Sequence, residues 1–96
     1  MMATYIIAFV QVTDRERYGE YMKVTPGVIA RHGGKFVVRG GRSETLEGPE
    51  ETRRVVVIEF ATVAAARAFY ESAEYERARE LRRGAAVASF VLEEGI

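Results

Sequence analysis

The 96-residue chain contains no cysteine, a single histidine and no excess of either charge: 14 lysines and arginines face 14 aspartates and glutamates. Without cysteine there is no disulfide, no thiolate metal site and no cysteine nucleophile. The lone histidine, His32, excludes a histidine-rich zinc or iron site within one chain. A balanced charge without a basic block argues against nucleic acid or an anionic membrane as partner. The opening Met1–Val12 has neither a basic n-region nor a small-residue cleavage site, and it is too short to span a bilayer. A cytoplasmic location is therefore expected. Nucleophilic-serine motifs, metal-ligand spacings and dinucleotide fingerprints are also missing. Gly33-Gly34 and Gly40-Gly41 do not open a helix after a strand, so turn geometry explains them and phosphate binding does not.

What is present is an ordinary folding composition, 48% hydrophobic and 29% charged, consistent with one domain over residues 1–96. A chain this short buries only about two-thirds of its unfolded surface, so an extra interface would help it. The most informative stretch is Arg53–Phe60. Four successive β-branched residues, Val55 to Ile58, put apolar side chains on both faces of a strand, which predicts a position in mid-sheet. Thr4–Val12 is apolar on both rows as well and predicts a second central strand.

Thr13, followed by Glu16, resembles a capping box opening a helix. Apolar spacing from Tyr18 to Ile29 marks one helical face. Pro26 predicts an interruption after Lys23 and a restart capped by Thr25. Gly33-Gly34 ends this helix. Lys35–Arg39 predicts a short strand, Arg42–Thr52 a long polar connection, and Thr62 the cap of a second helix that bends or restarts at Ser72. That helix stops at Gly84, and a last strand covers about Ala86 to Glu93. The order is βαββαβ, an α+β ferredoxin-like fold with a four-stranded antiparallel sheet.

Right-handed crossovers place both helices on one face of such a sheet. The apolar residues on the other face then lack cover, and an identical sheet from a second chain, in a two-fold homodimer, is the simplest solution. Phe36, Val38, Val56, Ile58, Phe60, Phe90 and Leu92 are assigned to the helix side. Tyr5, Ile7, Phe9, Lys35, Val37, Arg39, Val55, Val57 and Glu59 are assigned to the open side. A mainly apolar space between two such sheets suits a small ligand.

Several stretches together carry a family resemblance: Gly33–Gly41, Leu46-Glu47-Gly48, Arg54–Phe60 and Phe69–Tyr75. Over almost its whole length the chain resembles the domain of unknown function 1330 family. Where that family commonly has proline, this chain has Ala61 and Ala73. The resemblance implies a dimeric α/β barrel and no established activity. Related barrels include monooxygenases, lactone isomerases and haem enzymes, so the fold alone says little about function.

Five residues stand out as candidates. His32, at a helix end, can act as acid or base near neutrality, or simply cap the helix. Glu59 interrupts an apolar strand, where a carboxylate needs a partner; Arg39 on the neighbouring strand is one candidate. It reads either as a catalytic acid–base group or as an interface ion pair. Arg39 and Arg54 could instead grip a ligand carboxylate in a two-pronged way, although for Arg54 a structural role at the strand end is favoured. Tyr70 and Tyr75 flank the Ser72 break and could line a ligand site or pack in the core. No metal and no cofactor are expected; haem would have to use the lone histidine as axial ligand. The favoured reading is a homodimer of uncharacterised function that binds a small apolar ligand between its sheets. The alternative is a cofactor-independent enzyme, an isomerase or monooxygenase-like protein, acting on a small carbonyl- or carboxylate-bearing substrate.

Overall fold

The two strands that are apolar on both rows, β1 (Thr4–Val12) and β3 (Arg54–Phe60), lie side by side in the middle of the sheet in a computed structural model. The structure describes residues 3–96; Met1 and Met2, which belong to the expectation about the chain's opening, lie outside the described residues. Between and after these strands come α1 (Arg15–Arg31), β2 (Lys35–Arg39), α2 (Val63–Glu71), α3 (Ala73–Leu81) and β4 (Ala86–Glu94). The sheet order is β2-β3-β1-β4, antiparallel throughout. This is the α+β ferredoxin-like arrangement, with the second helix divided in two.

Ser72 makes the division. Its hydroxyl donates to the Phe69 carbonyl at 2.8 Å and accepts from the Tyr75 amide at 3.0 Å. One side chain thus ends α2 and caps α3. Thr62 caps α2 as expected, accepting from the Ala65 amide at 3.0 Å.

Helix α1 departs from expectation at both points. Its cap is Asp14, which accepts from the Arg17 amide at 3.1 Å. The Thr13 amide is tied to the Ala85 carbonyl at 2.8 Å, so Thr13 belongs to the approach and the helix begins one residue later. Pro26 does not break the helix, which runs through it to Arg31. Proline removes the N–H that would bond the carbonyl four residues back, here that of Met22. Arg39 Nη2 reaches the same carbonyl at 3.4 Å and supplies the donor that Pro26 lacks. Gly33, with φ 77°, then turns the chain out of the helix.

The helix side of the sheet is closed by Ile6, Val10, Val56, Ile58 and Phe60 against Val28 and Ile29 of α1, Phe69 of α2 and Tyr75 of α3, all buried. The opposite side carries aligned rows. Tyr5 lies opposite Glu59, Ile7 opposite Val57 and Phe9 opposite Val55, with Val91 beside Ile7 on β4. No helix covers this side among the described residues. Val38, Val87 and Val91 are 41%, 71% and 46% exposed.

Strand β2 corrects the expected pattern. A bulge between Phe36 and Val38 pairs Phe36 with Ile58, Val38 with Val57 and Arg39 with Val56. One extra residue reverses the facing of everything beyond it. Val38 therefore joins the open side, and Arg39 crosses to the helix side, where its guanidinium lies 4.4 Å from the centre of the Phe36 ring.

The connection between β2 and β3 is irregular and is tied by Glu51. Its amide donates to Thr45 Oγ1 at 2.8 Å, and its carboxylate accepts from Arg53 Nε and Nη2, both at 2.9 Å. Hydrogen bonds from the Arg53 side chain and amide hold this carboxyl at a pKa of about 2. Arg53 in turn covers the Phe9 ring on the open side, 4.8 Å from its centre.

A cleft between the first helix and the sheet

At the middle of the helix side the sheet carries Ala8, with Val56 beside it on β3 and Phe90 on β4. A side chain this small between two large ones leaves the floor low. Helix α1 bridges the dip with Tyr18, Tyr21, Met22 and Ile29, and Phe69 stands at the back. A space of about 30 Å³ remains, room for roughly one water. It adjoins a wider mouth of about 340 Å³ between Val12, Arg15 and the residues Tyr18, Met22 and Arg54, which line both.

Polar groups line this cleft from three elements, with Tyr18, Tyr21 and Thr25 on α1, Arg39 on β2 and Arg54 on β3; Tyr75 and Arg82 stand behind Tyr21. Tyr21 and Tyr75 face each other from α1 and α3, their hydroxyl oxygens 2.7 Å apart and buried. Arg82, just beyond α3, lays its guanidinium 5.4 Å from the Tyr21 ring centre and 5.1 Å from that of Phe90. Arg54 opens β3 and Arg39 closes β2, and both line the cleft. Arg54 Nη2 points at the Arg39 carbonyl at a long 3.5 Å. The Nε atoms of Arg54 and Arg82 are buried and find no acceptor among the described residues.

These surroundings fix the protonation states. Burial raises the Tyr21 hydroxyl well above the usual tyrosine range, and the neighbouring Tyr75 adds to it. Burial also raises Tyr18, against the opposing positive charges of Arg54 and Arg82. For Arg82, burial works against the charge, but the Tyr75 and Tyr21 hydroxyls outweigh it and raise the group. At neutral pH the cleft thus offers protonated tyrosines and charged arginines. It can donate hydrogen bonds and stabilise an anion, while Tyr18 and Tyr21 cannot serve as bases there. A tyrosine raised in the folded state lets the unfolded chain release its proton first. Stability is therefore intact below about pH 10 and lost above it. The urea midpoint is expected to fall between pH 9 and 11, and Tyr21→Phe to flatten that fall; an unchanged slope would contradict the assignment.

The five candidate residues are dispersed. Arg39 lines the cleft, and Tyr75 stands behind it, fully buried with its hydroxyl against that of Tyr21. Tyr70 packs between Tyr75 and Phe90, at 5.3 and 5.7 Å between ring centres, and faces a separate groove along β4 with Arg67 and Glu71. His32 caps α1, with Nδ1 2.9 Å from the Val28 carbonyl, an atom that only accepts, so Nδ1 carries the proton. Its ring stands edge-on to Phe69. Glu59 lies on the open side and pairs with Lys35 at 3.3 Å, not with Arg39. His32 and Glu59 are therefore on opposite sides of the sheet. Sequence reasoning passed over Tyr18 and Tyr21 as helix-face residues, and it weighed Arg54 as a grip for a ligand carboxylate but favoured a structural role. The available signal was Ala8, the one small residue inside an apolar strand.

Among the described residues, no group of three or more histidine, aspartate or glutamate side chains could hold a metal ion, and no helix is long and apolar enough to cross a membrane. The sheet order β2-β3-β1-β4 with the helices on one side defines an α+β ferredoxin-like protein. The chain belongs to the family described as Domain of unknown function (DUF1330), which matches residues 3–96. A solved protein of unknown function from Rhodopseudomonas palustris is 26% identical, with a TM-score of 0.75, covering 94% of this chain and 79% of that one. SnoaB, a cofactor-independent oxygenase from Streptomyces nogalater, shares the fold at 15% identity and a TM-score of 0.64, covering 95% and 89%. A candidate antibiotic biosynthesis monooxygenase from Nitrosomonas europaea does so at 17% and 0.56, covering 99% and 90%. No curated protein matches the chain by sequence.

Proposed function

We propose that this protein is a homodimer that binds a small, largely apolar molecule in the cleft between α1 and the sheet. The observation that carries the reading is the mouth of the cleft, about 340 Å³ between Val12, Arg15, Tyr18, Met22 and Arg54, where apolar side chains meet a few polar groups. Small-molecule sites have this size and character. The uncovered side of the sheet is the dimer surface in this reading, which puts the ligand across the sheet from the inter-sheet space suggested by the sequence. A cytoplasmic location rests on the sequence reading alone. Arg39 lines the ligand site, Tyr75 and Tyr70 back it, and His32 and Glu59 act as a helix cap and an interface ion pair.

Titration of ¹⁵N-labelled protein with indole, a neutral flat probe, tests the site. Shifts are expected to concentrate on amides of Val12, Tyr18, Met22 and Arg54. Shifts confined to the open side, or none at all, would contradict the reading.

A second reading is a cofactor-independent enzyme acting on a carbonyl- or carboxylate-bearing substrate. The likeness in fold to a cofactor-independent oxygenase supports it, as do charged arginines beside protonated tyrosines, which favour an enolate over its neutral parent. In that reading Arg39 and Arg54 orient the substrate, and the base comes from the substrate or from solvent.

A further inference from the structure

The mouth of the cleft is lined by two cations and no acid: its walls are Val12, Arg15, Tyr18, Met22 and Arg54. Arg31, Arg53, Arg67 and Arg83 each pair with a glutamate elsewhere. Arg15 and Arg54 form no ion pair among the described residues. Helix stability does not explain Arg15, which stands in the first turn of α1, where the helix dipole disfavours a cation. Arg17, in the same turn, at least ties itself to the Arg83 carbonyl at 2.8 Å.

Arg54 is fixed more firmly, and the device that fixes it is Gly40. The Gly40 amide donates to the Val55 carbonyl at 2.9 Å, which holds the glycine beside the start of β3. Gly40 has φ 65°, and a Cβ there would overlap the Arg54 guanidinium. The arginine thus occupies space that only a glycine leaves open. Its Nε is buried without an acceptor among the described residues, although an arginine in such a place is ordinarily paired. Its side chain lines both the mouth and the inner space, as does Tyr18. The fold therefore sets a cation at the junction of the two and leaves its charge without a counter-ion.

We propose that the mouth selects a small organic anion, with its charged group between Arg54 and Arg15 and its apolar part on Val12 and Met22, and that Gly40 is the positioning residue that keeps Arg54 in place. A guanidinium offers a planar fork of donors to an anionic oxygen pair. The ligand body lies in the mouth, whose volume of about 340 Å³ suits a small molecule. The inner space, with room for roughly one water, takes no part of that body. This proposal rests on the ligand-binding reading above and adds the charge class of the ligand and the residue that sets it.

The test uses a charged and a neutral probe of one shape, indole-3-acetate and indole-3-acetamide, titrated into ¹⁵N-labelled protein at neutral pH. The acid is expected to bind roughly tenfold more tightly than the amide. Arg54→Gln is expected to bring the acid's affinity down to the amide's, and Arg15→Gln to remove part of the preference. Gly40→Asn is expected to act like Arg54→Gln, because asparagine tolerates positive φ while its Cβ displaces the guanidinium. Gly48→Asn is the control: Gly48 has φ 86° with nothing near the position of a Cβ, and the preference should stay as in the wild type. Equal affinities for acid and amide, or a preference that survives Arg54→Gln, would overturn the proposal and leave the ligand-binding reading standing. A folded Gly40→Asn protein that kept the full preference would overturn the role of Gly40; if that variant did not fold, Arg54→Gln and Arg15→Gln would still decide the anion site. Failure of both probes to shift the amides of the mouth would overturn the ligand-binding reading, and the proposal with it.

Discussion

Ile7→Glu is expected to convert the protein to a monomer at micromolar concentration. Ile7 sits in the middle row of the open side, between Val57 and Val91, with no cover from its own chain. In the proposed two-fold dimer that row meets its copy, so the variant buries two like-charged carboxylates in an apolar interface. Burying an unpaired charge costs several kcal/mol. A loss of even about 3 kcal/mol weakens dimerisation roughly a hundredfold. The monomer should still fold, since a strand tolerates a charge on a face exposed to water. Ala64→Glu, on an exposed position of α2, is expected to leave the dimer intact. Size-exclusion chromatography with light scattering distinguishes these outcomes. If Ile7→Glu kept the wild-type mass, the open side would not be the interface.

Tyr75→Ala is expected to be the most damaging single truncation in the core, costing about 3–5 kcal/mol. Tyr75 is fully buried and touches more of the aromatic cluster than any single neighbour explains. Its ring lies 4.7 Å from Phe69, 5.3 Å from Tyr70 and 6.3 Å from Tyr21, centre to centre. The truncation removes these contacts and leaves a cavity against α2, while the Tyr21 hydroxyl loses its partner. Tyr75→Phe keeps the ring and isolates the hydroxyl: it should cost about 1–3 kcal/mol, the price of an unsatisfied buried polar group. Urea unfolding at one protein concentration measures both. If Tyr75→Phe cost as much as Tyr75→Ala, the hydroxyl pair and not the ring would dominate.

The sequence carried the architecture because β-branched runs and cap residues act locally. Val55–Ile58 could lie nowhere but mid-sheet, and Ser72 announced a break that its hydroxyl then makes. Two features depended on events that no local pattern records. The bulge at Val37 moves Arg39 from one side of the sheet to the other, and with it the expected partnership of Arg39 and Glu59 disappears. The continuity of α1 through Pro26 depends on a donor from β2 reaching the Met22 carbonyl, a contact between segments far apart in sequence. The same holds for the cleft. Tyr18 and Tyr21 read as core positions and Arg54 as a mainly structural strand-end charge, because spacing along one helix or strand cannot show which elements converge over Ala8. Glu59 was legible as unusual, and Lys35 as lying on the same side, but their pairing was not.

In the proposed dimer the two sides of one sheet serve two tasks, a partner chain on the open side and a ligand on the helix side, so the open side is covered in solution. Sedimentation equilibrium of the wild-type protein at low micromolar concentration is the decisive measurement. A single species of twice the 10.7 kDa chain mass is expected, and a species of 10.7 kDa would contradict the proposal.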